Sequence, residues 1–194
     1  KIPLAIPYFK NTTGTAEAER LSMSAADLLA SSLAFTGYFK LLDRGAFLFD
    51  PNKDGVLTPQ IKFANWTVIG AELLITGLFE IKNGQIVVEL RLFDTFKNKR
   101  IIGKKYGGRL TDQRKIIHRF CGEVIQYLTG HKGMFASKIA FVSTGSGHKE
   151  IYSCEFDGYN PLQITRNRSI SLFPAWSTNG RYLAYTSYKD GKPD

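Results

Sequence analysis

No stretch of this sequence approaches the ~18–20 consecutive apolar residues that a helix needs to cross a bilayer. A charged leader with an apolar core is also missing, because Lys1 runs directly into the apolar positions Ile2, Leu4 and Ile6. We therefore expect no membrane insertion. Since the chain begins inside a strand-like pattern, we also expect the whole protein to have residues before Lys1.

Cysteine is scarce, with Cys121 and Cys154 as the only two. They are too few and too far apart for a disulfide framework or a cysteine-rich metal site. Cys121 falls on an apolar helical stripe, and Cys154 alternates with Tyr152 and Phe156. Both are expected to be buried as small hydrophobic residues, and their number does not settle the redox compartment.

The residue patterns of catalytic and metal sites are missing as well. His118, His131 and His148 lie in separate segments, and no His-x-x-x-His or Cys-x-x-Cys pairing occurs. Gly145-Ser146-Gly147 lacks the spacing of a nucleophile elbow, and no glycine-rich loop with a following lysine could hold phosphate. We predict no catalytic, cofactor-binding or metal-binding residues and no cofactor. His118 is predicted to be a surface or domain-contact histidine.

What the sequence does have is a globular composition with a basic excess. Its 43% hydrophobic and 13% aromatic content is enough to build cores. The net charge is +9, of which residues 1–132 carry +7 and the remainder +2. The densest basic groups, in Lys97–Lys105 and Arg114–Arg119, fit either a solvated face or a docking face. An acidic partner, nucleic acid or an anionic membrane surface could each occupy such a docking face.

The first part of the chain begins with a strand and a long helix. Ile2–Phe9 alternates like a strand, but Pro3 and Pro7 favour an edge position or irregular pairing. A helical pattern follows over Glu17–Phe35 and is capped by Gly37. The predicted buried face of this helix consists of Leu21, Ala25, Leu28, Leu29, Ser32 and Leu33.

Shorter elements follow. Tyr38–Asp43 and Ala46–Phe49 are predicted to be extended, and Thr58 with Pro59 predicts the start of a short helix that reaches Trp66. A strand is predicted over Leu73–Phe79. A tight turn at Asn83-Gly84, where both residues must take positive φ, joins it to a second strand with apolar residues at alternate positions. The inward residues are Ile86, Val88, Leu90 and Leu92.

A third strand and a second helix complete residues 1–132. The strand is predicted over Arg100–Tyr106 and is ended by Gly107-Gly108. Thr111 is predicted to open the helix and Gly130 to end it. Its predicted buried stripe consists of Ile117, Phe120, Cys121, Val124, Ile125 and Leu128. The order of elements predicts an α+β domain, a mixed sheet with packed helices, over residues 1–132.

The pattern changes at Gly133, after which only short strands between glycine-rich turns are predicted. Lys138–Ser143 matches Tyr182–Ser187, which lies 44 residues later, and a propeller blade repeats every roughly 40–45 residues. Residues 133–194 are therefore predicted to be the all-β start of a β-propeller, about one blade and the opening of the next. The five strands are predicted at Ile139–Ser143, Ile151–Phe156, Leu162–Thr165, Phe173–Trp176 and Tyr182–Ser187.

The two tryptophans and two Asx-Gly pairs could be binding residues, but their surroundings favour structural roles. Trp66 and Trp176 lie in patterns typical of burial and are predicted to belong to the cores. Asp157-Gly158 and Asn179-Gly180 are predicted to be turns rather than ligand loops.

The repeat residues resemble the TolB family. Glu155–Thr165 is similar to the family's Asp-Gly-x-Asn and Leu-Thr blade turn, and Pro174–Gly180 to its Pro-x-Trp-Ser-Pro-Asp-Gly segment, with Thr178 and Asn179 in place of Pro and Asp. The family's domain junction is matched in order and spacing by Leu128-Thr129-Gly130, Gly133, Phe135 and Lys138–Ser143. The earlier positions that match are Asn65-Trp66, Gly70-Ala71, Gly77, Arg91–Asp94 and His118-Arg119. Cys121-Gly122 departs from the family's small residue and Asp.

The resemblance implies a periplasmic protein of the Tol–Pal cell-envelope system without catalytic activity. In the family, a six-bladed propeller binds the lipoprotein Pal, and an extended segment before the first strand engages TolA. Partner-binding residues remain unknown from the sequence. A propeller needs at least four blades to close, so we expect this chain to be part of a longer protein. We also expect that the 194-residue chain alone does not bind Pal measurably.

Two other functions stay open at this point. A propeller-gated hydrolase of the prolyl-oligopeptidase type would require a Gly-x-Ser-x-Gly elbow beyond Asp194. Nucleic-acid binding by the basic α+β domain would show a steep salt dependence, but its strands lack the aromatic stacking pattern of sequence readers. The open strand edges of the partial propeller predict pairing between copies of this chain.

Overall fold

A computed structural model describes residues 1–50 and 54–194. The chain forms two compact units, Lys1–Gly133 and Met134–Asp194. The first contains a six-stranded mixed sheet in the order β3-β1-β4-β5-β6, with β2 also paired to β4. Its strands are β1 (Ile2–Ala5), β2 (Lys10–Asn11), β3 (Phe39–Leu41), β4 (Leu73–Lys82), β5 (Gln85–Asp94) and β6 (Lys99–Arg109). Its helices are α1 (Ala16–Phe35), α2 (Ala64–Thr67) and α3 (Gln113–Thr129).

The first predicted strand, Ile2–Phe9, is shorter than expected: β1 ends at Ala5, and the short strand β2 lies just beyond the predicted range. β1 lies inside the sheet between β3 and β4 and pairs with both in unbroken register, so neither the edge position nor the irregular pairing expected for Pro3 is found. Pro3 is in register with Lys40 of β3, but its carbonyl accepts from the Glu72 N–H at 3.0 Å, on the β4 side and ahead of the pairs that Leu4 and Ala5 make with β4. Pro7 lies in the gap between β1 and β2. The ladder therefore requires no N–H from either proline.

The gap between β1 and β2 is filled by Phe9, which is buried against β4. A Cβ placed on Gly77 of β4 would lie 2.5 Å from Phe9 Cδ1, so only glycine leaves room for this ring. The Phe9 carbonyl accepts a hydrogen bond from Ser22 Oγ of α1 at 3.0 Å. Arg44 donates to the Ile6 carbonyl at 2.8 Å and pairs with Asp27 of α1. The gap is thus fastened to the helix layer.

The β4–β5 hairpin agrees with the prediction. Asn83 and Gly84 both have positive φ, 51° and 72°, which the type of two-residue turn requires. The four alternate residues Ile86, Val88, Leu90 and Leu92 are all fully buried. They face α1 and α3, which pack side by side on this face of the sheet.

Both long helices are close to their predicted bounds. α1 is capped at its start by Thr15, whose side chain accepts from the Ala18 N–H at 3.3 Å, and it is followed by Gly37 with φ of 78°. Its buried stripe lies slightly around the helix from the predicted one, because Leu21 and Leu28 are only partly covered. The fully covered positions are Ala18, Ser22, Ala25, Ala26, Leu29, Ser32 and Leu33.

The chain between β3 and β4 covers part of the opposite sheet face. Trp66 lies in a cluster with Ala5, Ala71, Leu74 and Phe93, and its ring contacts those of Phe47 and Phe49. Two predictions for this segment are wrong, because packing on Trp66 replaces regular structure. Ala46–Phe49 is not a strand, and the predicted helix to Trp66 is divided into a 3-10 turn at Thr58–Gln60 and α2. The predicted capping side chain of Thr58 lies outside the described side chains.

The connection from β6 to α3 also differs from the prediction. Gly107 and Gly108 lie inside β6 rather than ending it, and Gly108 leaves space for α3, since a Cβ there would lie 3.2 Å from Ile116 Cδ1. Thr111 does not open the helix. A 3-10 turn, Leu110–Asp112, leads into α3, and the Asp112 carboxylate accepts from the Arg109 N–H at 3.0 Å.

The second unit contains two antiparallel sheets, β7-β8-β9 and β10-β11. All five strands lie at their predicted places, although β9 is shorter than expected. They are β7 (Lys138–Ser143), β8 (Glu150–Glu155), β9 (Leu162–Gln163), β10 (Ser171–Trp176) and β11 (Leu183–Ser187). Its core includes Ile151 and an edge-to-face contact between Phe135 and Phe156, with ring centroids 5.3 Å apart.

Candidate functional site

Apolar side chains are unusually exposed on the sheets of the second unit. They lie on β7, on β9 and the turns on either side of it, on β10, and on or just before β11. The exposed large hydrophobic residues are Ile139, Val142, Tyr159, Leu162, Ile164, Ile170, Phe173, Tyr182 and Tyr185. So many apolar residues on so short a segment are typical of a surface that packs against another protein surface.

Phe173 stands out among these residues. It lies at a β-bulge between Leu172 and Ala175 of β10, and its φ of 55° is unusual for a bulky residue. Its side chain is 74% exposed. The bulge therefore presents an aromatic ring to solvent at the cost of backbone strain, an arrangement that clusters at functional sites.

A buried carboxylate holds the turns of the second unit together. Glu150 at the start of β8 is 1% exposed and accepts hydrogen bonds from Thr165 Oγ1 and, at 2.8 Å, from the Arg168 N–H. Thr165 Oγ1 also accepts from the Ile151 N–H at 2.9 Å. Sequence reasoning missed this network because residues so far apart give no local signal of their pairing.

In the first unit, β6 and α3 share a group of charged and aromatic side chains. Tyr106 donates to Glu123 at 2.9 Å, Lys104 pairs with Glu123 at 3.1 Å, and the Arg119 guanidinium lies 5.5 Å from the Tyr106 ring centroid. Burial, reinforced by the Glu123 carboxylate, raises the pKa of Tyr106. The phenol therefore acts as a donor to Glu123 over the physiological pH range.

The histidines and cysteines are placed apart from one another. His118 is buried on α3, so the surface position, one of the two predicted for it, is wrong. It shares the covered stripe with Ile117 and Cys121. His131 and His148 are exposed. Both cysteines are buried and free, as predicted, and burial raises the pKa of the Cys121 thiol. Within residues 1–50 and 54–194, no three His, Cys, Asp or Glu side chains are grouped to hold a metal ion.

The two tryptophans differ from each other. Trp66 is buried, as predicted, whereas Trp176 is only partly covered, because the two-stranded β10-β11 sheet offers little to cover it. The two predicted turns are present: Asp157 Oδ1 accepts from the Tyr159 N–H at 3.2 Å, and Asn179 Oδ1 from the Arg181 N–H at 3.0 Å. Over the described part of the chain, no helix has the length and hydrophobicity of a membrane span.

Two family models match the chain. The TolB amino-terminal domain matches residues 1–101, and the TolB beta propeller domain matches residues 125–194. A solved structure, TolB from Acinetobacter baumannii, shares the fold with a TM-score of 0.79 at 21% identity, over 99% of this chain and 45% of that one.

Curated relatives match over the same span. The Tol-Pal system protein TolB of Desulfosudis oleivorans is 57% identical over 194 residues, which are 100% of this chain and 44% of the relative. That of Syntrophus aciditrophicus is 36% identical over 198 residues, with the same two coverages. The Protein TolB homolog of Chlorobium luteolum is 40% identical over 181 residues, 92% of this chain and 41% of the relative. The chain thus spans less than half the length of these relatives.

The fold is therefore the predicted one, an α+β unit with a mixed sheet followed by all-β, incomplete propeller blades. Because the amino-terminal family model alone covers more than half of the 194 residues, and the propeller model most of the rest, the chain belongs to the TolB family.

Proposed function

We propose that this chain is part of a non-catalytic, periplasmic protein-interaction scaffold of the Tol–Pal cell-envelope complex. In the whole protein, the scaffold would bind Pal and TolA and so maintain outer-membrane integrity. Family membership and the names of the relatives, Tol-Pal system protein TolB, support this proposal. Its non-catalytic character and its partners follow from the resemblance to the family.

The observation that carries the proposal is the apolar surface of the second unit. Strands of a propeller blade pack face to face on neighbouring blades, which requires apolar residues on both sides of each sheet. Exposed residues such as Ile139, Leu162 and Tyr182 fit that need. We propose that residues 133–194 form about one blade, β7-β8-β9, and the opening of the next, β10-β11, after a first domain of residues 1–132.

Phe173 is proposed to be a partner-contact residue of this scaffold. Aromatic side chains supply much of the binding free energy of protein interfaces. Phe173 is 74% exposed on a bulge, so its ring is available for contact with a partner. The rings of Phe135 and Phe156 pack on each other and are not available in this way.

The test uses the whole protein and the 194-residue chain side by side. Isothermal titration of the whole protein is expected to show binding of Pal and of TolA, and deletion of its gene is expected to release periplasmic enzymes into the medium. The 194-residue chain is expected not to bind Pal measurably, because the ring of blades is incomplete in it.

Three outcomes would contradict the proposal. The whole protein could fail to bind either partner, or the short chain could bind Pal as tightly as the whole protein. A Gly-x-Ser-x-Gly elbow beyond Asp194 with measurable peptidase activity would replace the scaffold by a propeller-gated hydrolase.

A further inference from the structure

The longest strand of the first unit, β6, forms an edge of its sheet. Over the described strands it pairs only with β5, and its other side meets no strand. From Ile102 to Arg109 the register with β5 is unbroken, after an irregularity at Leu92 and Phe93. A long regular edge is a template for strand addition, which natural proteins usually shorten, cover or protect with charge.

The outward backbone groups of β6 can be identified from the register. Lys82 and Gln85 flank the two-residue turn and therefore form a narrow hydrogen-bonded pair. The backbone N–H and C=O groups of Gln85 thus point to β4, and those of every second residue of β5 from Ile86 onward point to β6. The residues of β6 opposite them direct their own N–H and C=O groups toward β5. These residues are Ile102, Lys104, Tyr106 and Gly108. Gly103, Lys105 and Gly107 hence direct their N–H and C=O groups away from the sheet. The Arg109 N–H obeys the same alternation, because it donates to Asp112 rather than to β5.

Space is available beside these backbone groups. Gly103 and Gly107 are both exposed. A Cβ on Gly107 would meet only the Ile86 carbonyl oxygen, at 4.0 Å. The nearest atoms to a Cβ on Gly103 belong to the exposed Arg100 side chain, the first at 3.2 Å, and this side chain would have to move aside. Lys105 is therefore flanked by two positions without side chains, on the sheet face opposite α1 and α3.

Basic residues predominate at this edge, although Glu89 of β5 lies opposite Lys105 and pairs with Arg91. Residues 97–119 contain nine Lys and Arg against one Asp, a net +8, whereas the whole chain has +9. Lys104 is engaged with Glu123, but Lys99, Arg100 and Lys105 are exposed and form no ion pair with a described residue. A second copy pairing through β6 would place like charges opposite each other, which is destabilising.

We propose that β6 is a docking edge for an extended acidic segment of a partner protein, which adds to the sheet as a further strand. An acidic side chain of that segment would pair with Lys105, and larger side chains would fill the space over Gly103 and Gly107. A strand matches the alternating donors and acceptors of an edge, which the phosphates of a nucleic acid or of a lipid surface do not. The proposal does not depend on the identity of the propeller's partners.

The test is a titration of the 194-residue chain with a ten-residue peptide, blocked at both ends, at low salt. One face of the peptide alternates Glu and Tyr, and the other is Thr. Binding is followed by fluorescence anisotropy of the labelled peptide and by NMR shifts of the backbone amides of β6. We expect the largest shifts at Gly103, Lys105 and Gly107.

Matched variants separate charge from strand pairing. Lys105→Glu is expected to weaken binding about tenfold, whereas Lys40→Glu, an exposed lysine on the opposite sheet edge β3, leaves it unchanged. Gly107→Pro removes an outward N–H without removing a bond to β5, and is expected to abolish binding. A peptide N-methylated on the face of its backbone that meets β6 makes the same test without altering the protein, and is also expected not to bind.

Several results would overturn the proposal. These are no binding of the acidic peptide, equal binding of a peptide with Lys in place of Glu, and equal weakening by Lys40→Glu. Undiminished binding of the N-methylated peptide would show that the peptide is held by the basic charge alone and not by pairing with β6. A DNA oligonucleotide or an anionic vesicle that displaces the peptide at lower concentration would assign the surface to a different polyanion.

Discussion

At the residue scale, Gly77 and Phe9 form a tight contact on which the first unit depends. A Cβ on Gly77 would approach Phe9 Cδ1 to 2.5 Å and Leu90 Cδ2 to 3.0 Å. The ring is 1% exposed and cannot swing into solvent. Gly77→Ala is therefore expected to lower the free energy of unfolding by about 1–3 kcal/mol.

The measurement is urea unfolding followed by Trp66 fluorescence in a Trp176→Phe background, which leaves the fluorescence of the first unit alone. Gly107→Ala is the matched control on β6, where a Cβ has room, and it is expected to change the free energy of unfolding by less than about 0.5 kcal/mol. Equal effects of the two substitutions would contradict the packing argument.

Tyr106 makes the stability of the first unit sensitive to alkaline pH. Because its pKa is raised in the folded chain from 10.0, the unfolded chain loses this proton first. The stabilising contribution is fully present below pH 10 and is lost as pH rises above it, with a limiting slope of about 1.4 kcal/mol per pH unit. Tyr106→Phe is expected to flatten this loss in unfolding experiments between neutral and strongly alkaline pH.

Tyr127→Phe serves as the control for this prediction. Tyr127 lies on the same helix but is 58% exposed, and its substitution is expected to leave the alkaline profile of the parent chain. An unchanged profile in Tyr106→Phe would show that another group, such as the buried Cys121 thiol, dominates the alkaline loss of stability.

Residues whose environment is set by their neighbours along the chain could be placed from the sequence. Cys121 and Trp66 stand among apolar neighbours, and both are buried as predicted. His118 was misplaced because a polar side chain beside Arg119 favours a surface position, although its place on the helical stripe with Cys121 argues for burial. The partners of Glu150 could not be foreseen, because they lie 15 and 18 residues away in a turn without regular structure.

At the scale of elements, the Glu150 network joins β8 to the connection between β9 and β10. Thr165→Val would leave the Glu150 carboxylate and the Ile151 N–H each short of a buried partner. We expect a loss of about 2–3 kcal/mol, measured as faster hydrogen exchange of the Ile151 amide. Thr178→Val, at an exposed turn position, is the control and is expected to leave that exchange rate unchanged.

Elements set by local chemistry could be predicted, and those set by distant packing could not. The Asn83-Gly84 turn and the two long helices follow from positive φ, caps and apolar periodicity. The early end of the first strand at Ala5 accompanies the packing of Phe9 on Gly77, 68 residues later. Gly107-Gly108 resembles a strand end locally, but α3 packs over Gly108 and the strand continues to Arg109.

At the scale of the whole molecule, the apolar surface of the second unit predicts self-association of this chain. Phe173 and Tyr182 are 74% and 72% exposed, and a surface of this kind is expected to pair copies as their concentration rises. The double substitution Phe173→Ser and Tyr182→Ser is expected to raise the dissociation constant for self-association at least about tenfold. Sedimentation velocity over a wide concentration range measures it.

A control pair of similar exposure lies in the first unit. Val68 and Phe96 are 76% and 64% exposed, and their joint substitution by Ser is expected to leave the association unchanged. A chain that stays monomeric at all concentrations, or that responds equally to both pairs, would show that these strands are not an association surface.

The concentration of positive charge in residues 97–119 also makes the charge of the first unit uneven. An acidic molecule that diffuses nearby experiences a torque before any contact is made, and rotates until it faces this edge. Fewer collisions are then wasted on wrong orientations, so that the rate of capture, more than the lifetime of the complex, responds to the ionic strength of the surrounding medium.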